Sequence, residues 1–163
     1  MENIRKAYIA GGCFWGMEDL FRKRTGILDT EVGYQGGENE NPTYRNHPGH
    51  AEGIELTYDA NETSFEAILD YFFRIHNPTT VDQQGNDRGS SYRSTVFFQN
   101  DEELQSAKAI IEIVNKSRKW EANTVTTLEA FSPFWKAEPE HQDYLQRNPN
   151  GYTCHFEQHS SFI

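Results

Sequence analysis

The most constraining feature of the sequence is a change of hydrophobic period close to its start. Lys6–Ala10 (KAYIA) is a short apolar run that stops at Gly11-Gly12, the pattern of a strand ending in a tight turn. Met17, Leu20 and Phe21 then recur at helical spacing. Glu18 and Asp19 come early and Arg22-Lys23-Arg24 late, which suits the dipole of a helix running from Cys13 to Arg24. Gly26 stops that helix, and Ile27–Gly33 alternates as a second strand would. Strands and amphipathic helices joined this closely must pack as neighbouring layers.

The rest of the chain repeats the theme. Residues 34–49, rich in Gly, Asn, Pro and His, read as a long ordered loop of the functional kind, and Ala51–Tyr58 as a further strand. Thr63 with Glu66 three places on forms a capping box ahead of Phe65, Ile68, Leu69, Phe72 and Phe73. After a second long loop, 77–91, Ser94–Gln99 reads as a strand. Asn100 and Glu103 then cap a helix whose buried face is Leu104, Ala107, Ile110, Ile111 and Val114. Thr124–Phe131 is a β-branched strand, and the stretch from Ser132 is aromatic, polar and irregular, with a short helix around Glu140–Leu145. This order predicts an α+β fold: a two-layer ferredoxin-like sandwich of mixed or antiparallel sheet covered by helices. Long functional loops and an irregular C-terminal tail complete it, as one domain over residues 1–163.

Composition narrows the partners. Lys and Arg total 15 against 25 for Asp and Glu, a formal net charge of -10, with pI near 5.0 and mean hydropathy -0.82. Phosphate backbones and anionic lipid would repel such a chain, so nucleic acid and membrane are poor partners. No apolar run approaches the ~18 residues of a membrane span. Hydrophobic residues make up only 36%, but eleven Phe, eight Tyr and three Trp supply large rings for a core. The opening Met1–Lys6 lacks the apolar stretch of a secretory signal. Two cysteines, Cys13 and Cys154, are too few for a disulfide framework or a four-thiolate metal site. They are expected as free thiols or a transient redox pair in a reducing cytoplasm.

Cys13 falls at the strand–turn–helix junction, where unpaired N–H groups and the helix dipole favour thiolate over thiol. The preceding glycines leave the sulfur accessible, and Phe14 and Trp15 supply an apolar wall beside it. The plainer alternative is a buried structural cysteine. Gly12-Cys13-Phe14-Trp15-Gly16 is far more specific than a lone cysteine, and it resembles the signature of the A-type peptide methionine sulfoxide reductases. Further blocks resemble that family in its own order: Gly33–Gly37, Asn41–Tyr44, Gly49–Glu52, Gln84–Gly89, Tyr92–Ser94 and Asn148–Tyr152. The likeness runs from about Ala7 to Tyr152.

The resemblance implies reduction of the S epimer of methionine sulfoxide, free or in proteins, with no cofactor beyond an external reductant, thioredoxin or a dithiol. It assigns Cys13 as nucleophile and Glu52 as proton donor, a task that requires a raised pKa. Tyr44 and Tyr92 match the two phenols that hold the sulfoxide oxygen, Phe14 and Trp15 the pocket for the substrate methyl group, and Asp87 an orienting acid. Taken alone, Glu52 reads as a solvated edge glutamate, Asp87 as a turn residue and each tyrosine as packing. Attack leaves Cys13 as a sulfenic acid, which condenses with a nearby thiol. Cys154 is the other thiol, on a polar tail expected to be mobile, although Thr153 separates it from the Gly151-Tyr152 pair that many relatives follow directly with cysteine. Either Cys154 resolves the sulfenic acid to a disulfide, the favoured course, or an external thiol reduces it directly. His50 and His141 are expected to be structural. The cysteines lack the clustered ligands of a zinc site. A non-catalytic binding module, in which the aromatic wall and Cys13 merely pack, and a thiol peroxidase are the rival classes; the first predicts no thiol-dependent turnover, and peroxide reduction needs no methyl pocket or two placed phenols.

Overall fold

A computed structural model describes residues 3–163. Eight strands and four helices follow one another as β1 (Ile4–Gly11), α1 (Phe14–Phe21), β2 (Ile27–Gln35), β3 (Ala51–Asp59), α2 (Phe65–Ile75), β4 (Gln83–Gln84), β5 (Asp87–Arg88), β6 (Ser94–Phe98), α3 (Asp101–Ser117), β7 (Thr127–Ala130), β8 (Trp135–Lys136) and α4 (Tyr144–Arg147). Six strands make one sheet in the order β7-β6-β1-β3-β2-β8, and β4 and β5 form a separate small hairpin. Every pairing in the large sheet is antiparallel except β6 with β7. Its centre, β6-β1-β3-β2 with α1 after β1 and α2 after β3, is the ferredoxin-like arrangement expected from the sequence. Strands β7 and β8 extend it at the two edges.

The period-two alternation of β1 sets what each face does. Ala7 and Ile9 enter the main core with Phe14, Met17 and Phe21 of α1, Leu69, Phe72 and Phe73 of α2, and Ala107, Ile110 and Val114 of α3. Tyr8 and Ala10 face the other way, into a small cluster with Ala51 and Phe97 against Phe134. Tyr8 stacks edge-on to Phe131 at 4.8 Å, so the irregular segment around β8 covers part of the second face.

Several boundaries differ from the sequence reading, each for a local reason. Helix α1 begins at Phe14 with Cys13 as its cap, and ends at Phe21 instead of Arg24. No basic side chain lies in its last turn. Arg22 and Lys23 fold back onto Asp19, and Arg24 stacks over the Tyr71 ring at 4.0 Å. The cap of α2 is Ser64, whose hydroxyl accepts from the Ala67 N–H, so the box built on Thr63 is displaced by one residue. Asn100 does cap α3, its side chain accepting from the Glu103 N–H. Strand β7 is shorter than Thr124–Phe131, and the helix expected at 140–145 divides into a 3-10 turn, Pro139–His141, and α4. No helix is long and apolar enough to cross a membrane among the described residues.

Candidate active site

Cys13 follows β1 directly and is buried, with 5% of its surface exposed. Gly12 makes the turn possible: its φ is +101°, and a Cβ there would collide with the Gln84 side chain. Glu52 reaches the same spot from the neighbouring strand. On β3 it shares a face with Ile54 and Leu56, the face under the helices, and it pairs in register with Tyr34 of β2. Its Oε1 accepts the first helical N–H, that of Phe14, at 3.2 Å. Its Oε2 is buried with no hydrogen-bond partner among the described residues.

The two groups hold their protons. Burial, countered in part by the Phe14 N–H and helped by Asp87, raises the Glu52 carboxyl to about 8. Burial also pushes the Cys13 thiol well above the ordinary cysteine range, and the neighbouring Glu52 adds to this, while the Trp15 N–H pulls the other way. Burial thus opposes the resting thiolate expected from the sequence. The helix start does favour an anion, but its leading N–H is taken by Glu52, and desolvation outweighs the remainder.

Tyr44 and Tyr92 arrive on loops. Tyr44 lies in the 36–50 loop, its ring stacked near-parallel to Trp15 at 6.3 Å and over His141 at 4.5 Å. Its phenol lies close enough to Tyr92, at the end of the 3-10 turn Ser90–Tyr92, for the two to influence each other's ionisation. Both phenols are shifted upward, by burial first and by Glu52 next, so both stay protonated. The two loops are tied together: His47 Nε2 lies 2.8 Å from Ser91 Oγ, and the Arg93 guanidinium donates to Gly49 O at 3.1 Å while pairing with Glu129 at 3.0 Å.

Phe14 and Trp15 divide their work. Phe14 is fully buried beneath Tyr34, Tyr44 and His141. Trp15 is part-exposed, sandwiched between Tyr44 and Tyr144 and donating from Nε1 to His141 Nδ1 at 3.1 Å. Trp15 is thus the more exposed of the two rings, and Phe14 lies buried beside it. Glu18 on α1 braces this wall, accepting from Thr30 Oγ1 and from the Asp143 N–H just before α4, both at 2.8 Å.

Asp87 sits on the β4–β5 hairpin, close enough for its charge to reach Cys13, Glu52, Tyr44 and Tyr92. It also accepts from the Tyr152 hydroxyl at 3.0 Å. Cys154 is half-buried over Gly85, where a Cβ would come within 3.4 Å of its own Cβ. Both cysteines are free thiols, and they are near enough to interact electrostatically. The tail carrying Cys154 is more firmly seated than expected: His155 is buried and bonds Gly11 O at 2.7 Å. All eight residues singled out in the sequence therefore gather at one end of β1 and β3.

Sequence reasoning missed Glu138, His155 and Tyr152 as members of the site. Glu138 accepts from the Tyr34 hydroxyl at 2.8 Å and from the Tyr44 N–H at 3.0 Å, fixing the loop that carries Tyr44. Nothing in its local sequence signals this, whereas the Cys154-His155 adjacency was a visible cue. His50 bridges Gly37 and Asn39, and His141 packs in the aromatic wall, so both have structural duties. Glu138, Glu140 and His141 bring ligand atoms within 4.8 Å of one another. Both Glu138 oxygens and His141 Nδ1 already accept hydrogen bonds, which leaves that set poorly suited to a cation.

A ferredoxin-like sheet that buries a cysteine beside a proton-bearing carboxyl and two neutral phenols defines a class of enzyme, the thiol-dependent oxidoreductases. The chain belongs to the peptide methionine sulfoxide reductase family, which it matches over residues 5–162. It is 55% identical to the peptide methionine sulfoxide reductase MsrA of Nocardia farcinica over 156 residues, 96% of this chain and 92% of that one. Among solved structures, the reduced form of Mxr1 from Saccharomyces cerevisiae superposes with TM-score 0.89 at 34% identity, covering 96% of this chain and 93% of the other. Mxr1 in complex with Trx2 matches at TM-score 0.67 and 27% identity, covering 96% of this chain and 91% of the other.

Proposed function

We propose that this chain reduces the S epimer of methionine sulfoxide, free or within proteins, to methionine, leaving Cys13 as a sulfenic acid. The observation that carries this reading is the Glu52 carboxyl, buried at 1% exposure beside Cys13 and holding its proton up to about pH 8. A sulfoxide sulfur is weakly electrophilic and its oxygen leaves poorly, so a protonated donor at neutral pH is the scarce ingredient. Glu52 gives its proton to the sulfoxide oxygen, and the Tyr44 and Tyr92 hydroxyls donate hydrogen bonds to the same atom. The resulting Glu52 carboxylate accepts the Cys13 thiol proton as the sulfur attacks. The oxygen passes to Cys13: thiol and sulfoxide become sulfenic acid and thioether, a two-electron exchange with no cofactor. Trp15 and, behind it, Phe14 receive the methyl group, apolar contact contributing about 1 kcal/mol, and Asp87 orients the substrate.

Cys154 then closes on Cys13 to form a disulfide, a role supported by the nearness of the two thiols. A thioredoxin or another dithiol returns both to thiols, in keeping with the relative solved in complex with Trx2. The reading extends to one domain over residues 1–163 working in the cytoplasm, supported by the nearly full-length family match and the continuous main core. The decisive assay supplies the separate S and R epimers with dithiothreitol to wild type and Cys13→Ser. Wild-type turnover of S alone, abolished in the variant, is expected; turnover of R alone, or activity surviving Cys13→Ser, discards the reading.

A further inference from the structure

The mechanism above leaves one buried nucleophile-facing base unused. His155 has 5% of its surface exposed, and room for its ring is made by two glycines. A Cβ on Gly12 would come within 3.2 Å of its Nε2, and one on Gly16 would clash with its Nδ1. Its Nε2 lies 2.7 Å from the Gly11 carbonyl oxygen. A carbonyl only accepts, so Nε2 carries the proton and the other nitrogen of the neutral ring presents a lone pair. That nitrogen, Nδ1, lies 3.8 Å from Cys154 Sγ. The tautomer is therefore set by the very turn that holds Cys13, and the free lone pair faces the second thiol.

We propose that His155 is the base that deprotonates Cys154 as this thiol attacks oxidised Cys13. The inference rests on the sulfoxide-reductase reading with Cys154 as resolving thiol. In the step, His155 Nδ1 takes the Cys154 proton, a bond forms between the two sulfurs, and the Cys13 S–O bond breaks. The departing hydroxide takes a proton from the imidazolium and leaves as water. The Cys154 sulfur is oxidised and the Cys13 sulfur reduced to the shared disulfide level, so no outside oxidant is needed.

The surroundings suit this task. The Cys154 thiol is shifted upward, first by burial, so an unassisted thiolate is scarce near neutral pH. Burial lowers the His155 pKa, outweighing the Gly11 carbonyl and then Asp87, which raise it, and so favours a neutral ring able to accept. The titratable groups that act on it are Cys154 of its own segment, Asp87 of the β4–β5 hairpin and His76 at the end of α2, while Tyr152 acts on Cys154.

The test mixes reduced enzyme with methionine S-sulfoxide without reductant and follows released methionine and the Cys13–Cys154 disulfide in the same sample. His155→Gln keeps a donor for Gly11 O but offers no base toward Cys154. Disulfide formation, normalised to methionine released, is expected to slow by about 10²-fold near neutral pH, with a trappable Cys13 sulfenic acid accumulating. Its rate should climb about tenfold per pH unit, following the Cys154 thiol itself, where wild type is flat. Free imidazole should restore the rate in His155→Ala. Disulfide formation at the wild-type rate in His155→Gln overturns the proposal. So does slowing with a wild-type pH profile and no imidazole rescue, since a purely structural histidine would give that pattern. Wild type that releases no methionine sinks the reductase reading itself, and methionine without any disulfide sinks the role of Cys154.

Discussion

The two cysteines occupy opposite kinds of structure. Cys13 caps α1 at the end of a central strand, buried among side chains whose positions follow from sheet register and helix packing. Cys154 lies beyond α4, on a segment with no regular secondary structure, seated by side-chain contacts that include Tyr152 to Asp87, His155 to Gly11 and Tyr71 to Glu157. The difference separates two demands. Reducing a sulfoxide requires a dry, fixed pocket where protons are retained until substrate arrives. Closing a disulfide requires a thiol that can travel, and a strand or helix would hold it back. Burial raises both thiols, so on the proposed scheme each calls for a neighbouring group that moves a proton.

The comparison can be broken from either side. The largest effect is expected for Cys154→Ser, which keeps a first methionine release but loses thioredoxin-driven recycling altogether. An unchanged steady-state rate with thioredoxin would merge the two roles into Cys13 alone. Glu52→Gln is expected to slow methionine formation by about 10²-fold or more while leaving resolution of any sulfenic acid intact. If Glu52 is the proton donor proposed, wild-type kcat/KM should hold below about pH 8 and fall as pH rises through it, and the variant should lack that limb. The same raised pKa makes the folded state bind this proton more tightly than the unfolded chain. Stability is thus present at low pH and lost as pH rises from the ordinary carboxylate range to about 8, a loss absent in Glu52→Gln thermal melts. Tyr44→Phe and Tyr92→Phe should each lower kcat/KM about 10-fold, one hydrogen bond to a charge-developing oxygen. Their double variant should fall short of the product, since the two phenols are neighbours that act on the same oxygen. The smallest catalytic effect belongs to Glu18→Ala, which leaves the Asp143 N–H and Thr30 hydroxyl unpartnered. It should cost about 1–3 kcal/mol in denaturant unfolding, with a raised KM as the Trp15 wall loosens.

The ferredoxin-like core was readable because its signals are local: the KAYIA run ending in glycines, helical spacing in α2 and α3, and the Asn100 cap. The additions were not. Strand β8 has two residues and β4–β5 two apiece, too short for any period to register. The eight site residues were legible through motif position, since Tyr44 and Tyr92 carry nothing in their own sequence that separates them from six other tyrosines. What pattern could not give was the state of the protons. A helix start argued for a thiolate at Cys13, and only the strand register that brings Glu52 onto the Phe14 N–H shows why burial prevails. Glu138 was hidden for the same reason, its partners Tyr34 and Tyr44 lying far away in the chain.

The central claim is that Cys13 waits as a neutral thiol and relies on Glu52 to move the proton with the substrate. Thiolate absorbance of Cys154→Ser, titrated from acid to alkaline pH without substrate, measures this directly. Ionisation of Cys13 only above the ordinary cysteine range is the expected result. A thiolate already formed near neutral pH would contradict the account.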